Sequence, residues 1–358
     1  MMILMIGLAA LVFAALSYYV GYNGWVWLKT TFLSKYKKMY IGIIVILSCS
    51  LFIGLFSSLL VFKLLGYFWM MIIGYGIILL PICNLLGFLM KKRGIFWIGI
   101  SVFAVYGFVF IYGSFNAWSP VIRNYNLTVD KKSNVEDVEI LMVSDLHIGA
   151  IVGPAHIQRL VDKANQVKPD IILIPGDVID DHIQPYIDNH VGEILKELKA
   201  PMGVYATPGN HDYYGDDLEK LEVELNKAGI KLLMDETVNV DDLFYIVGRK
   251  DVTDENRQAV SDLVSELDQT MPIIMMDHTP LDLDIAKENG IDVLLSGHTH
   301  KGQVAPANLI TSRIYENDWG YLRKSTLQSV VSSGFGTWGP PLRIGSRSEV
   351  NVIKVKFE

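Results

Sequence analysis

The chain has 358 residues, of which 51% are hydrophobic and 19% charged, and it carries a net charge of −7. That length accommodates two domains, and the apolar share is high for a purely soluble protein. No Asp or Glu precedes Asp130 while nine basic residues do, so removing that +9 from the total leaves −16 for residues 130–358. An acidic half without a basic stripe excludes nucleic acid as a partner, because phosphate-backbone binding needs clustered cations.

In chain order, the first elements are four apolar stretches at about 2–20, 41–62, 65–90 and 94–114. Each approaches the roughly 20 residues that cross a bilayer as a helix. The first lacks a basic leader and a clear small-x-small cleavage site, so it reads as a retained helix instead of a cleaved signal peptide. Lys29, Lys35, Lys37 and Lys38 fall between the first two stretches and Lys91, Lys92 and Arg93 between the last two. Positive loops stay cytoplasmic, which predicts a multi-pass plasma-membrane protein whose N-terminus and residues after the fourth helix lie on the extracytoplasmic side. Trp25, Trp27 and Trp118 suit interfacial anchors. The stretches contain no Asp, Glu, Arg or His, the groups that mark ion pathways, so residues 1–118 are expected to anchor and not to transport. Cys49 and Cys83 both fall within these stretches, leaving no disulfide framework for the remainder.

Beyond residue 118 the pattern changes to short β-rich runs: "VEILMVSD", "DIILIPGD", "MGVYATPG", "LFYIVG", "PIIMMDH", "IDVLLSGH", "SVVSSG" and "VNVIKVKF". Between several of them lie amphipathic segments such as "HIQRLVDKANQ", "HVGEILKELK", "LEKLEVELNKAG" and "RQAVSDLVSELD". This alternation predicts one α/β layered domain over 119–358 with a largely buried sheet. The strand ends carry Asp145 and His147, Asp177, Asn210 and His211, His278, and His298 and His300. Ligands collect at the carboxyl ends of strands in such sheets. Taken singly each motif is weak; together they hold five of the eight histidines.

The ordered set "DLH", "GD", "GNHD", His278 and "GHTH" resembles the calcineurin-like metallophosphoesterase superfamily. "GVYATPGNHDYYG", "LLSGHTHKGQV" and the closing "SSGFGTWGPPLRIGSRSEVNVIKV" resemble its bacterial membrane-associated branch, related to UDP-2,3-diacylglucosamine pyrophosphatases and cell-envelope phosphoesterases. The resemblance implies two mixed β-sheets in a sandwich flanked by helices, with a two-metal site on top. It implies one ion held by Asp145, His147, Asp177 and His300, and a second by Asp177, Asn210, His278 and His298. Imidazole and oxygen donors suit Mn²⁺, the expected ion, or Fe, Zn²⁺ or Co²⁺. A pair of such ions about 3.5–4 Å apart activates water and clamps the attacking and leaving oxygens of an in-line displacement.

The resemblance further implies that His211, next to Asn210 on a tight loop, faces substrate and stabilises or protonates the leaving oxygen, with Asp180 as the acid that orients it. The alternative for Asp180 is a cap, and Asp212 is expected to cap or orient its loop. Arg249, Lys250 and Lys301 are candidate phosphate contacts or ordinary solvated charges. Asp277 is either an acceptor for an imidazole N–H or a solvent-facing carboxylate. The expected function is hydrolysis of a phosphate ester or pyrophosphate of a membrane lipid or cell-envelope precursor. The alternatives are a cytoplasmic-facing nucleotide-lipid pyrophosphatase and a non-catalytic metal-dependent binding module.

Overall fold

The computed structural model describes residues 2–57 and 59–358. The chain divides into two compact units, Met1–Tyr112 and Gly113–Glu358. In the first, helices α1 (Met2–Leu28), α2 (Lys37–Phe56), α3 (Leu60–Leu89) and α4 (Ile95–Trp118) are each long and apolar enough to cross a membrane. Most of their large apolar side chains face outward, as a lipid-solvated helix requires. Where helices meet, small residues permit close approach: a Cβ on Gly66 of α3 would lie 2.6 Å from Leu51 Cα of α2. The buried Trp69 indole donates to Ser17 Oγ at 3.2 Å, joining α3 to α1.

The helices differ from the predicted stretches at their ends. α1 runs eight residues past the expected end, and α3 begins at Leu60 although 41–62 reads as one apolar run. Ser57 and Ser58 are the polar residues at that junction, a pair too short to interrupt the apolar run as read; Ser58, within the predicted span, lies outside the described residues. The last residues of α4 fold with the second unit, where Arg343 N–H donates to Gly113 O and Ser348 N–H to Asn116 O, both at 3.0 Å.

The second unit is built on twelve strands: β1 (Val121–Val129), β2 (Asp137–Met142), β3 (Ile171–Pro175), β4 (Val204–Thr207), β5 (Lys231–Leu232), β6 (Glu236–Val240), β7 (Phe244–Gly248), β8 (Ile273–Met276), β9 (Val293–Ser296), β10 (Gly320–Lys324), β11 (Leu327–Val331) and β12 (Glu349–Phe357). They form two six-stranded mixed sheets, ordered β1-β12-β2-β3-β4-β5 and β10-β11-β9-β8-β7-β6. One core lies between the sheets, where Ile140, Met142 and Leu173 meet Ile274, Met276 and Leu295. Their chain neighbours Leu141, Ile172 and Ile174 point the other way, onto Ile157, Leu160 and Val161 of α5 (Pro154–Val167). Central strands buried on both faces read as continuous apolar runs, which is why β2, β3, β8 and β9 are legible in the sequence.

β1 is absent from the predicted runs because Arg123, Asn124 and Asn126 break its apolar pattern. It is an edge strand, held parallel to β12 from Val121–Glu349 to Val129–Phe357. Two expected helices shrink to single turns, Val191–Leu195 and Val260–Val264.

Candidate metal centre

β2 and β3 run parallel in one sheet, and β8 and β9 run parallel in the other. Their carboxyl ends, with that of β4, carry the polar residues. The backbone turns sharply there: Asp145, His147, Asp177, His298 and His300 have φ between +46° and +68°. Left-handed conformations of non-glycine residues cost of order 1–3 kcal/mol each and cluster at functional sites. Asp and His tolerate them better than β-branched residues.

These turns aim donors at one buried spot. His147 Nε2 is 3.0 Å from His300 Nε2 and 3.6 Å from Asp177 Oδ2. His300 Nε2 is 3.4 Å from Asp145 Oδ1, and His278 Nε2 is 3.1 Å from Asp177 Oδ2. Asp145, His147 and His300 form one group of donors within 4.8 Å of one another, and Asp145, Asp177 and His278 another. Asn210 Oδ1 accepts from His298 Nδ1 at 2.9 Å, beside the second group.

His278 shows what this arrangement fits. Its Nδ1 lies 2.9 Å from Pro175 O, which can only accept, so Nδ1 carries the hydrogen. The other ring nitrogen, Nε2, is buried and faces the Asp177 carboxylate at 3.1 Å. Protonated, Nε2 donates to that carboxylate; deprotonated, it offers a lone pair beside it to a metal ion. Burial works against charge on His278, but Asp177 overrides it and draws its pKa well above the ordinary range. Burial likewise pushes Asp177 up, and His278 with His147 and His211 holds it well below the usual carboxylate range. A site that attracts a proton this way also attracts a divalent ion, and the N and O donors suit a borderline or hard one.

His211 lies beside the donors, its ring 4.7 Å from that of His147 in edge-on contact. Its backbone N–H donates to Asp177 Oδ1 at 2.9 Å. Its Nδ1 bonds to Asp181 Oδ1 at 2.7 Å, whereas Asp180, the expected partner, is 3.8 Å away. Asp181 adopts φ +66°, and this turn brings its carboxylate to the imidazole. Asp180 Oδ1 instead stands 3.6 Å from His147 Nδ1. Burial lowers the His211 pKa, but the Asp181 bond and the nearby carboxylates lift it to about 8. Asp212 accepts from Gly209 N at 2.8 Å and Ile179 N at 3.0 Å, tying the two ligand loops together.

The three expected phosphate contacts have partners of their own. Buried Arg249 pairs with Asp277 at 3.1 Å and Asp282 at 2.8 Å, Lys250 with Asp254 at 3.0 Å, and Lys301 Nζ sits 3.5 Å above the Trp319 ring. Asp277, taken by Arg249 and Arg257, makes no bond to an imidazole. Sequence reasoning missed Arg343, which is fully buried behind the centre. It donates to Ser333 O and Gly336 O, each at 2.5 Å, with Nη2 3.0 Å from His300 Nδ1. Burial and this guanidinium together push the His300 pKa well down. Its only signal in the sequence is membership of the closing "GPPLRIGSR" segment.

Residues 138–302 match the calcineurin-like phosphoesterase family. An uncharacterised metallophosphoesterase of Helicobacter pylori is 30% identical over 66% of this chain and 64% of its own. A transmembrane protein with metallophosphoesterase domain from Danio rerio is 30% identical over 72% of this chain and 61% of its own. The chain thus spans just under two thirds of these relatives' lengths. An uncharacterised metallophosphoesterase of Aquifex aeolicus is 29% identical over 66% of this chain and 91% of its own. The solved dimetal phosphatase from Danio rerio is 12% identical, with a TM-score of 0.34 over 62% of this chain and 99% of its own, a loose likeness. Two mixed sheets with donors at their strand ends, matched over 138–302, define the class: the second unit is a calcineurin-like metallophosphoesterase domain. Four membrane-length apolar helices precede it, so the chain joins a membrane-type helical unit to that domain.

Proposed function

We propose that this protein is a membrane-anchored, metal-dependent phosphoesterase that hydrolyses a phosphate ester or pyrophosphate of a membrane lipid or cell-envelope precursor. The observation that carries the reading is the pair of overlapping donor groups sharing Asp145, with His211 alongside. One ion, with manganese the first choice, would take Asp145, His147, Asp177 and His300. The other would take Asp177, Asn210, His278 and His298. The chemistry such ions supply when bound is Lewis acidity toward phosphoryl oxygens and water.

The chain's own residues do the rest. Asp181 holds the His211 Nδ1–H at 2.7 Å, which leaves Nε2 as the atom that meets substrate. A protonated imidazole there donates to the leaving oxygen as its charge grows. Asp212 keeps the His211 loop in register with the Asp177 loop. The placement of basic loops favours the extracytoplasmic face. Four apolar helices restrict the domain's reach and favour substrates held in the bilayer.

The test is turnover by Mn²⁺-loaded full-length protein in detergent on p-nitrophenyl phosphate, its bis-ester and a polyprenyl pyrophosphate, with Asp177→Asn and His211→Ala as controls. Hydrolysis of the lipid substrate, lost in both variants, is the expected result. Preference for a soluble nucleotide with no activity on lipid would overturn the substrate class.

A further inference from the structure

We propose that Trp338 and Tyr214 form an apolar wall beside His211 that selects phosphoesters whose leaving group is apolar, a hydrocarbon or ring alcohol, over polar ones such as a glycol. The inference rests on the reading above, in which His211 serves the leaving oxygen, and it assigns the recognition that the catalytic groups do not supply.

Both rings touch the imidazole. The Tyr214 ring centre is 5.2 Å from that of His211 and the Trp338 ring 6.1 Å from it. With Nδ1 of His211 taken by Asp181, Nε2 is the atom left for the leaving oxygen, and the group attached to that oxygen leaves past an imidazole that both aromatics contact. Both remain largely open to solvent, Trp338 at 50% and Tyr214 at 58%. Large aromatics gain by covering their faces, so two of them exposed at a catalytic histidine form a surface for an apolar partner. The three cations expected at the site are already engaged, Arg249 and Lys250 with carboxylates and Lys301 with the Trp319 ring.

Both residues are anchored at the site. Buried Gln303, just after the "GHTHK" segment, pairs its side-chain amide with the Trp338 backbone, donating from Nε2 to Trp338 O at 2.9 Å and accepting from Trp338 N at 3.3 Å. The same Nε2 also donates to Pro340 O at 3.1 Å. Tyr214 Oη accepts from Asn210 Nδ2 at 3.1 Å, while Asn210 Oδ1 faces His298. A single amide therefore links one wall residue to the donor cluster, and a second pins the other to the loop of His300.

The experiment measures equilibrium binding of phenyl, butyl and 2-hydroxyethyl phosphonate to the Mn²⁺-loaded full-length protein by calorimetry, alongside hydrolysis of the matching phosphate esters. The wild type is expected to bind the phenyl and butyl compounds more tightly than the hydroxyethyl one. In Trp338→Ala that preference should fall at least tenfold, and Trp338→Phe should restore most of it. Loss for phenyl alone would identify a planar ring as the leaving group, and loss for both a general hydrocarbon. Equal weakening of all three compounds, or an unchanged preference, would overturn the proposal. Because binding is read apart from turnover, absence of hydrolysis would count against the catalytic reading while the wall is still tested.

Discussion

Gly209→Ala isolates how closely two ligand loops must approach. Gly209 has φ −105° and ψ 179°, an extended conformation open to any residue, so backbone freedom is not why glycine stands there. Space is. A Cβ would lie 2.5 Å from the Asp177 backbone nitrogen and closer still to its Oδ1, an atom that already accepts from His211 N. The nitrogen is backbone and Oδ1, though a side-chain end, is held by the His211 N–H, so Asp177 must move. Overpacking of this kind costs about 1–3 kcal/mol, and at ~2–4 °C per kcal/mol for a domain of this size the melting temperature should fall by roughly 2–12 °C. The displaced atom is the carboxylate shared by both proposed ion sets, so metal stoichiometry measured by equilibrium dialysis should fall with it. Gly229→Ala is the matched control. That residue has φ +80° with open space around it, so alanine costs ~1–2 kcal/mol of backbone strain yet touches no ligand. Gly229→Ala should lower the melting temperature and keep full metal binding. Wild-type metal affinity and kcat in Gly209→Ala would refute the requirement for close approach.

The two neighbouring carboxylates should separate in kinetics: Asp181→Asn, at 2.7 Å from His211, should lower kcat, whereas Asp180→Asn, near His147, should weaken metal affinity by ~10–100-fold. The reverse assignment in steady-state and dialysis measurements would restore Asp180 as the partner of His211. Chelation should lower the melting temperature, because an ion at a hundred times its Kd contributes about 2.7 kcal/mol; an unchanged melting curve would count against the site. His156 is buried with its ring against Trp118 and Phe335, and burial lowers its pKa to about 4. The unfolded chain, at about 6.5, binds the extra proton between these values. Stability is therefore complete above pH 6.5 and falls as pH drops toward 4, by about 3 kcal/mol. His156→Gln should flatten that part of a denaturant-unfolding pH series, and an unaltered slope would assign the acid sensitivity elsewhere.

Much of this protein is legible from local pattern. Helices of membrane-crossing length are apolar all round, and strands buried on both faces are continuous apolar runs, so α1–α4 and the central strands announce themselves. Strand ends are equally local. A polar residue closing an apolar run lies at a strand end whatever surrounds it, which is why Asp145, Asp177, His278 and His298 can be read as neighbours before any fold is known. What closes around them is different. Asp181 replaces Asp180 at His211 because of one left-handed turn, φ +66°, that no spacing rule encodes. Arg249 turns to Asp277 and Asp282, far along the chain, and Arg343 reaches His300 across 43 positions. Trp338 is held at His211 by Gln303, 35 positions away. Composition and periodicity determine which residues an element presents. Charge pairing and ring contact depend on which elements pack together, and only the tertiary structure decides that.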